Sequence, residues 1–200
     1  MTKSIIAAAA LLLATAPAAS GQVRDAPSRT SISAGPVMYT TISSIVDPDS
    51  DSRWTFDDTG FGFGAGVQRE FGQGLLIGVE GTYATTRQER SYLDTDVVFE
   101  SGDAAIATGM LTGRFAYGGG GTVGIYLTGG AGTIAYKLDS LDGWNPDFAL
   151  RAGTGIEYQF AVGKGIALEW NRIWGYHEKE DLGGGRQNHS VLKLLGRLAL

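Results

Sequence analysis

Apolar residues alternate with small or polar residues along most of the chain. In the segment FGFGAGVQRE, the apolar residues Phe61, Phe63 and Val67 alternate with glycines and then with Gln68 and Glu70. The same period of two recurs in LLIGVEGTY, TVGIYLTGG, FALRAGTGIEYQF and IALEWNRIW. This period is typical of β-strands, because successive side chains of a strand point to opposite faces. The sequence therefore predicts an all-β chain.

The polar face of these strands is too highly charged to form the core of a water-soluble protein. It carries Glu80, Arg151, Glu157, Glu169, Lys193 and Arg197. A sheet with one apolar face and one charged face fits a membrane when the apolar face meets lipid and the charged face lines an enclosed interior. The pattern predicts an eight-stranded antiparallel up-and-down transmembrane β-barrel.

The eight predicted strands are joined by connections of alternating length. The strands cover about 30–46, 59–71, 75–87, 104–117, 122–136, 147–160, 166–177 and 189–200. The short connections are 71–74, 118–121 and 161–165, and the long polar ones are 47–58, 88–103, 137–146 and 178–188. Outer-membrane barrels have short periplasmic turns and long external loops, so we expect both termini in the periplasm. Pro36 interrupts the first strand and predicts a bulge or a later strand start.

The first residues predict export of the chain across the inner membrane. Lys3 precedes the apolar run IIAAAALLLATA, and small residues follow, with cleavage expected between Ala18 and Gly21. We expect a signal peptide over 1–21, a periplasmic tail over 22–29 and a barrel over 30–200 in the bacterial outer membrane. The chain has no Cys, which excludes a lipoprotein anchor and disulfides. Its net charge of −5 argues against a nucleic-acid partner.

Aromatic residues fall at the strand ends on the apolar face. Two levels of aromatic side chains are typical of the girdles that mark the two membrane–water interfaces. The set near the short connections is Phe71, Phe115, Tyr117, Tyr158 and Phe160. The set near the long connections is Phe61, Tyr83, Phe148, Trp174 and Tyr176.

The strands FGFGAGVQREF, FALRAGTGIEYQF and GIALEWNRIW resemble those of a known family. They are similar to the small outer-membrane β-barrel proteins of the OmpA-like and OmpX-like type, including the opacity-type porin family. The resemblance runs from about residue 30 to 200 and implies the fold and a Gram-negative cell-surface location. With that location we expect contacts with outer-membrane lipid and lipopolysaccharide, and a surface ligand bound through the loops.

The inward-facing charges predict a network of ion pairs. Glu157 and Glu169 lie at equal distances from the turn 161–165, so we expect them to face each other, with Arg197 beside Glu169. Two adjacent carboxylates could act as a general acid and base, but an eight-stranded barrel has no room for a substrate. Buried like charges need counter-charges. The predicted network is Glu80, Arg114, Arg151, Glu157, Glu169, Lys193 and Arg197.

The first long connection carries a weak calcium pattern. Asp47, Asp49 and Asp51 have the spacing of a calcium loop, and Asp58 stands at the twelfth place. Ser52 occupies the position where the turn glycine belongs, and no helices flank the segment. We keep the four aspartates as a weak candidate and expect no cofactor.

The two histidines flank the last long connection, in His177-Glu178 and His189-Ser190. A Ser, a His and a Glu near the outer leaflet would suit a lipid A deacylase-like hydrolase, although their order differs from that family's. A histidine at a strand end that faces water is the simpler interpretation. We therefore expect a non-enzymatic barrel with a structural or adhesion-type role through its external loops. The alternatives are a narrow pore and an outer-leaflet lipid-modifying enzyme.

Overall fold

The computed structural model describes the chain from residue 29 onward, with short gaps. The described ranges are 29–41, 44–47, 51–56, 59–71, 74–95, 97–117, 122–139, 143–177 and 185–200. They contain no helix that is long and apolar enough to cross a membrane. The predicted signal peptide and most of the predicted tail lie outside the described residues.

The described residues form ten strands. These are β1 (Thr30–Thr41), β2 (Ile45–Asp47), β3 (Ser52–Phe56), β4 (Gly60–Glu70), β5 (Leu75–Tyr92), β6 (Val98–Tyr117), β7 (Val123–Leu138), β8 (Asn145–Ala161), β9 (Lys164–His177) and β10 (Gly185–Ala199). Eight of them close into a barrel, in which each strand from β4 to β10 pairs with the next and β1 pairs with both β4 and β10. Every pairing is antiparallel, so the predicted fold class is confirmed.

The two faces of the barrel wall differ as the alternation predicts. On β7, Leu127 is 63% exposed on the outside, whereas its neighbours Tyr126 and Thr128 are buried inside. A closed barrel pairs its backbone groups between strands, so an apolar outer face can lie in lipid. The charged and polar side chains of the other face fill the interior.

The interior has two parts with different chemistry. The part nearer the termini of the chain holds most of the buried charged residues, namely Glu80, Arg114, Arg151, Glu169 and Lys193. The part nearer the long connections holds a cluster of buried apolar side chains, which packs from several strands at once. Its aromatic members are Tyr39, Trp54, Phe56 and Tyr136. Trp54 and Phe56 come from β3, in the first long connection, so this connection closes one end of the barrel.

The predicted loops at 88–103 and 47–58 are wrong in part. β5 continues to Tyr92 and β6 begins at Val98, so only a short turn separates them. β3 pairs along the extended end of β5, with Phe56 opposite Gln88 and Ser52 opposite Tyr92. The residues are polar because this sheet lies beyond the lipid-facing wall, where a strand needs no apolar outer face. Polarity alone therefore did not distinguish a loop from an exposed strand.

The bulge predicted at Pro36 is also absent. The pairing of β1 with β10 keeps one register on both sides of the proline, from Ala34 opposite Gly196 to Val37 opposite Lys193. On the other side Pro36 pairs with Phe63 of β4. The missing N–H of a proline removes one donor from the ladder, and here the strand tolerates that loss without a shift.

Candidate functional site

Four charged side chains meet at the centre of the barrel and are called the central tetrad. They are Glu80 of β5, Arg151 of β8, Glu169 of β9 and Lys193 of β10, and all are buried. Arg151 Nη1 lies 2.5 Å from Glu80 Oε1. Lys193 Nζ lies 3.0 Å from Glu169 Oε1 and also contacts Glu80. Two positive and two negative groups therefore balance in a site that is shielded from water.

Hydrogen bonds from neighbouring residues support two members of the tetrad. Glu169 accepts bonds from the Tyr126 hydroxyl at 3.1 Å and from Asn171 Nδ2 at 2.8 Å. Arg151 donates from Nη2 to Thr128 Oγ1 at 3.2 Å. Such bonds matter because each one satisfies a donor or acceptor that the ion pairs alone would leave unpaired in the interior.

A second cluster lies nearer the termini and is called the terminal triad. It consists of Arg114, Glu157 and Arg197, in which both guanidiniums bind Glu157 Oε2. Arg197 Nη1 lies 3.0 Å from that oxygen, and Arg197 Nη2 donates to Gln68 Oε1 at 2.6 Å. The Arg114 guanidinium lies 3.6 Å from the centre of the Tyr126 ring, in the geometry of a cation–π contact.

The structure brings the seven charged residues of the predicted network into these two clusters, but two of the predicted contacts are wrong. Glu157 lies opposite Ala167, and Glu169 lies opposite Gly155. The turn is shorter than expected, and a register shift between Gln159 and Ala161 displaces β8 against β9. In the separate register of β9 with β10, Lys193 stands opposite Glu169 and Arg197 stands opposite Gly165.

Four polar partners of the clusters were missed from the sequence. Gln68, Tyr126, Thr128 and Asn171 have no charge, so a search for charged residues passes over them. The alternation along β4, β7 and β9 could have found them. Each lies an even number of residues from another buried residue of its strand, so its side chain also points into the barrel.

His189 is fully buried, so the water-facing interpretation is wrong. Its Nε2 lies 2.7 Å from the Tyr136 hydroxyl, and its Nδ1 lies 3.2 Å from Thr41 Oγ1. Ser190 is on the opposite face of β10, where its Oγ accepts a hydrogen bond of 2.6 Å from Trp170 Nε1. Adjacent residues of a strand point apart, so His189 and Ser190 do not form a hydrolase dyad. Glu178 lies outside the described residues.

The predicted girdle residues stand on the outer face. Phe61, Phe71, Tyr83, Phe115, Phe148, Tyr158, Phe160 and Tyr176 are exposed, and Trp174 is half-buried. Phe148 and Tyr176 pack together with ring centres 6.1 Å apart. The side chain of Tyr117 lies outside the described part of the chain.

The calcium candidate falls mostly on residues that the structure does not describe. Asp49, Asp58 and the side chain of Asp47 lie outside the described residues. Asp51 is exposed in a turn with a φ of 50°. Within the described ranges, no group of three or more acidic, His or Cys residues could hold a metal ion.

Comparison with known families identifies this barrel. The profile described as "Outer membrane protein beta-barrel domain" matches residues 6–192. The chain belongs to this family of outer-membrane β-barrel proteins. Family and fold together point to the bacterial outer membrane.

Solved structures of other outer-membrane proteins share the fold of this family member. The Neisserial surface protein A (NspA) is similar with a TM-score of 0.59 and 9% identity, covering 84% of this chain and 96% of that chain. OprG from Pseudomonas aeruginosa is similar with a TM-score of 0.62 and 12% identity, covering 86% of this chain and 96% of that chain. A search of curated proteins found none that matches. At these identities the likeness concerns the fold alone.

Proposed function

We propose that this chain is an outer-membrane surface protein that acts through the sheet extending beyond its barrel. In this proposal the termini face the periplasm and the long connections face the outside of the cell. The orientation is supported by the asymmetry of the two ends, because such barrels have long external segments and short periplasmic turns. Here β5 and β6 continue well beyond the wall at one end, whereas only residues 162–163 join β8 to β9 at the other.

The extended sheet is the observation that carries the proposal. It consists of β2, β3 and the outer ends of β5 and β6, and is called the external sheet. β5 has 18 residues and β6 has 20, whereas β4 has 11. From the girdle residue Tyr83 to Tyr92 the strand covers about 30 Å, which at the usual tilt raises its tip roughly 20 Å above the interface. Ordered structure at that height supports a role in contact with other molecules.

The tip of the external sheet exposes apolar side chains where water is the solvent. Tyr92 and Phe99 stack with ring centres 4.4 Å apart. Arg90 lies between Trp54 and Phe99, 4.7 Å and 5.5 Å from their ring centres, and pairs with Glu100 at 3.7 Å. The exposed apolar residues at the tip are Val46, Tyr92, Val97, Val98 and Phe99. Clustered apolar residues on a surface in water are typical of interaction sites.

The filled interior favours a surface role over a narrow pore. The central tetrad occupies the middle of the barrel, and Phe56 packs against Tyr136 with ring centres 5.6 Å apart nearer the long connections. Ions would need both layers to move before they could pass. The separation of His189 from Ser190 removes the particular pair that suggested a lipid hydrolase.

Attachment assays with bacterial cells test the proposal. Cells that produce the wild-type chain should bind to immobilised extracellular polypeptides or to one another several-fold better than cells without it. A Tyr92→Ser, Phe99→Ser double variant should lose that gain, whereas Val162→Ser, at the opposite end, should keep it. Heat-modifiable mobility on gels confirms that each variant forms a barrel. Equal attachment by the double variant, or large ohmic currents through the purified wild-type barrel, would contradict the proposal.

A further inference from the structure

An arginine stands on the lipid-facing wall of the barrel. Arg172 of β9 has the same outward parity as Leu168, Trp170 and Trp174, and it is half-buried among them. Its side chain makes no hydrogen bond or ion pair with any residue in the described ranges. A charge on a lipid-facing wall is destabilising unless something compensates it.

The depth of Arg172 makes its position unusual. It lies six residues from Ile166, which is exposed on the same face near the short turn at 162–163. Six strand residues span about 20 Å, and at the usual tilt roughly 15 Å of the 25 Å apolar band. Arg172 therefore lies in the half of the apolar band that is nearer the long connections. It is closer to the middle of the membrane than the girdle residue Tyr176. A long side chain at this depth can extend its guanidinium towards the headgroups.

Two hydroxyl side chains lie in line with Arg172 on the next two strands of the wall. Ser190 of β10 lies directly opposite Arg172, and Thr40 of β1 lies directly opposite Ser190. All three are half-buried on the outer face. Residues directly opposite each other on one face have Cβ atoms about 5 Å apart, so one ligand group can contact residues of adjacent strands at the same time.

The hydroxyl of Ser190 is oriented for donation. Its oxygen already accepts the hydrogen bond of 2.6 Å from Trp170 Nε1. The hydroxyl proton then remains available for an external acceptor, next to the guanidinium of Arg172. A guanidinium with adjacent O–H donors matches the oxygens of a phosphate group.

We propose that Arg172, Ser190 and Thr40 bind the phosphate group of an outer-leaflet glycolipid. The lipid supplies acyl chains for the exposed apolar wall, which includes Leu168 and Trp170, and its phosphate supplies the missing counter-charge. A free phosphate ion lacks the acyl chains and would have to leave water for the edge of the hydrocarbon. The leaflet in this proposal rests on the orientation given above, whereas the phosphate site rests on the geometry of the wall.

Native mass spectrometry of the purified barrel tests the site. Its result does not depend on which leaflet the site faces or on whether the protein mediates attachment. The probes are diphosphorylated lipid A and the same lipid with its phosphates removed, each titrated into detergent-solubilised protein. Wild type should bind the phosphorylated lipid roughly tenfold or more tightly than the other, as expected for charge-assisted hydrogen bonds. Arg172→Gln should reduce that preference to within about twofold, and Ser190→Ala should reduce it partly.

Matched controls decide whether the effect is specific. Arg87→Gln removes an exposed outward arginine of β5 and should leave the preference intact. Arg172→Lys should retain part of it, because lysine keeps the charge but not the planar array of donors. Equal binding of the two lipids by wild type, or an equal loss in the Arg87 variant, would show that Arg172 only reaches the headgroup region without a defined ligand. Displacement of the lipid by millimolar inorganic phosphate would overturn the assignment to a lipid.

Discussion

Removing Lys193 tests whether the interior is as dry and tightly paired as the structure implies. Lys193 is 1% exposed and joins the two carboxylates of the central tetrad, Glu80 and Glu169. In Lys193→Met, Glu80 keeps Arg151 as its partner, at 2.5 Å. Glu169 keeps the hydrogen bonds from Tyr126 and Asn171 but loses its directly bonded cation.

The magnitude follows from the cost of an uncompensated buried charge. Loss of one partner from a buried ion pair typically destabilises a protein by about 3–5 kcal/mol. With a urea m-value of about 2 kcal/mol/M, the midpoint of unfolding should fall by about 2 M. The double variant Lys193→Met, Glu169→Gln removes the unpaired carboxylate as well. Its loss should be smaller than the sum of the two single losses by about 1–3 kcal/mol.

Urea titration in lipid vesicles, followed by tryptophan fluorescence, measures these differences. Lys137→Met is the matched control, because Lys137 is an exposed outward lysine of β7 and its loss should change little. If Lys193→Met unfolds within about 0.5 kcal/mol of wild type, the carboxylates are hydrated and the interior is wet. Additive effects in the double variant would likewise refute direct coupling between Lys193 and Glu169.

Three further substitutions test the outer face, the closed end and the wall. Leu127→Arg should cost about 2–4 kcal/mol in vesicles, as for a charge near the bilayer midplane, whereas Leu127→Ala should cost much less; equal costs would refute the lipid-facing assignment. Phe56→Ala should cost about 3–5 kcal/mol and speed proteolysis within 47–58; unchanged proteolysis would show that β3 does not close the barrel. Gly155→Ala places a Cβ against the Tyr126 ring and should cost about 1–3 kcal/mol, while Gly124→Ala, with open space at its Cβ, should cost little; equal melting temperatures would contradict this packing.

The fold could be predicted from the sequence because each strand obeys the same constraint. The outer face of each strand meets lipid and the inner face meets other side chains, which imposes a period of two. Since a closed barrel has no edge strands, every strand shows this pattern. The strand ends were less predictable. Beyond the membrane the outer face of β5 and β6 meets water, so Gln88 to Ser91 are polar although β5 continues to Tyr92 and β6 begins only at Val98.

The interior charges could be predicted as a set but not as pairs. Inward parity identifies Glu157, Glu169, Lys193 and Arg197 from their places in each strand. Their pairing depends on the register between strands, and a tight turn with an irregularity after Gln159 displaces β8 against β9 by two residues from the register that the sequence predicts. Ser190 was considered beside His189 because the two are adjacent in sequence. In a strand such neighbours lie on opposite faces, which separates a buried imidazole from a lipid-facing hydroxyl.

Single-cysteine labelling in intact cells tests the central claim, that the long connections and their external sheet face outward. The chain has no native Cys, so each introduced thiol reports one position. Val97 at the tip of the external sheet is 56% exposed, and Val162 in a short turn at the opposite end is 94% exposed. A membrane-impermeant maleimide should label Val97→Cys in intact cells and Val162→Cys only after the outer membrane is permeabilised. Labelling of Val162→Cys in intact cells, with Val97→Cys protected, would contradict the orientation and the surface role built on it.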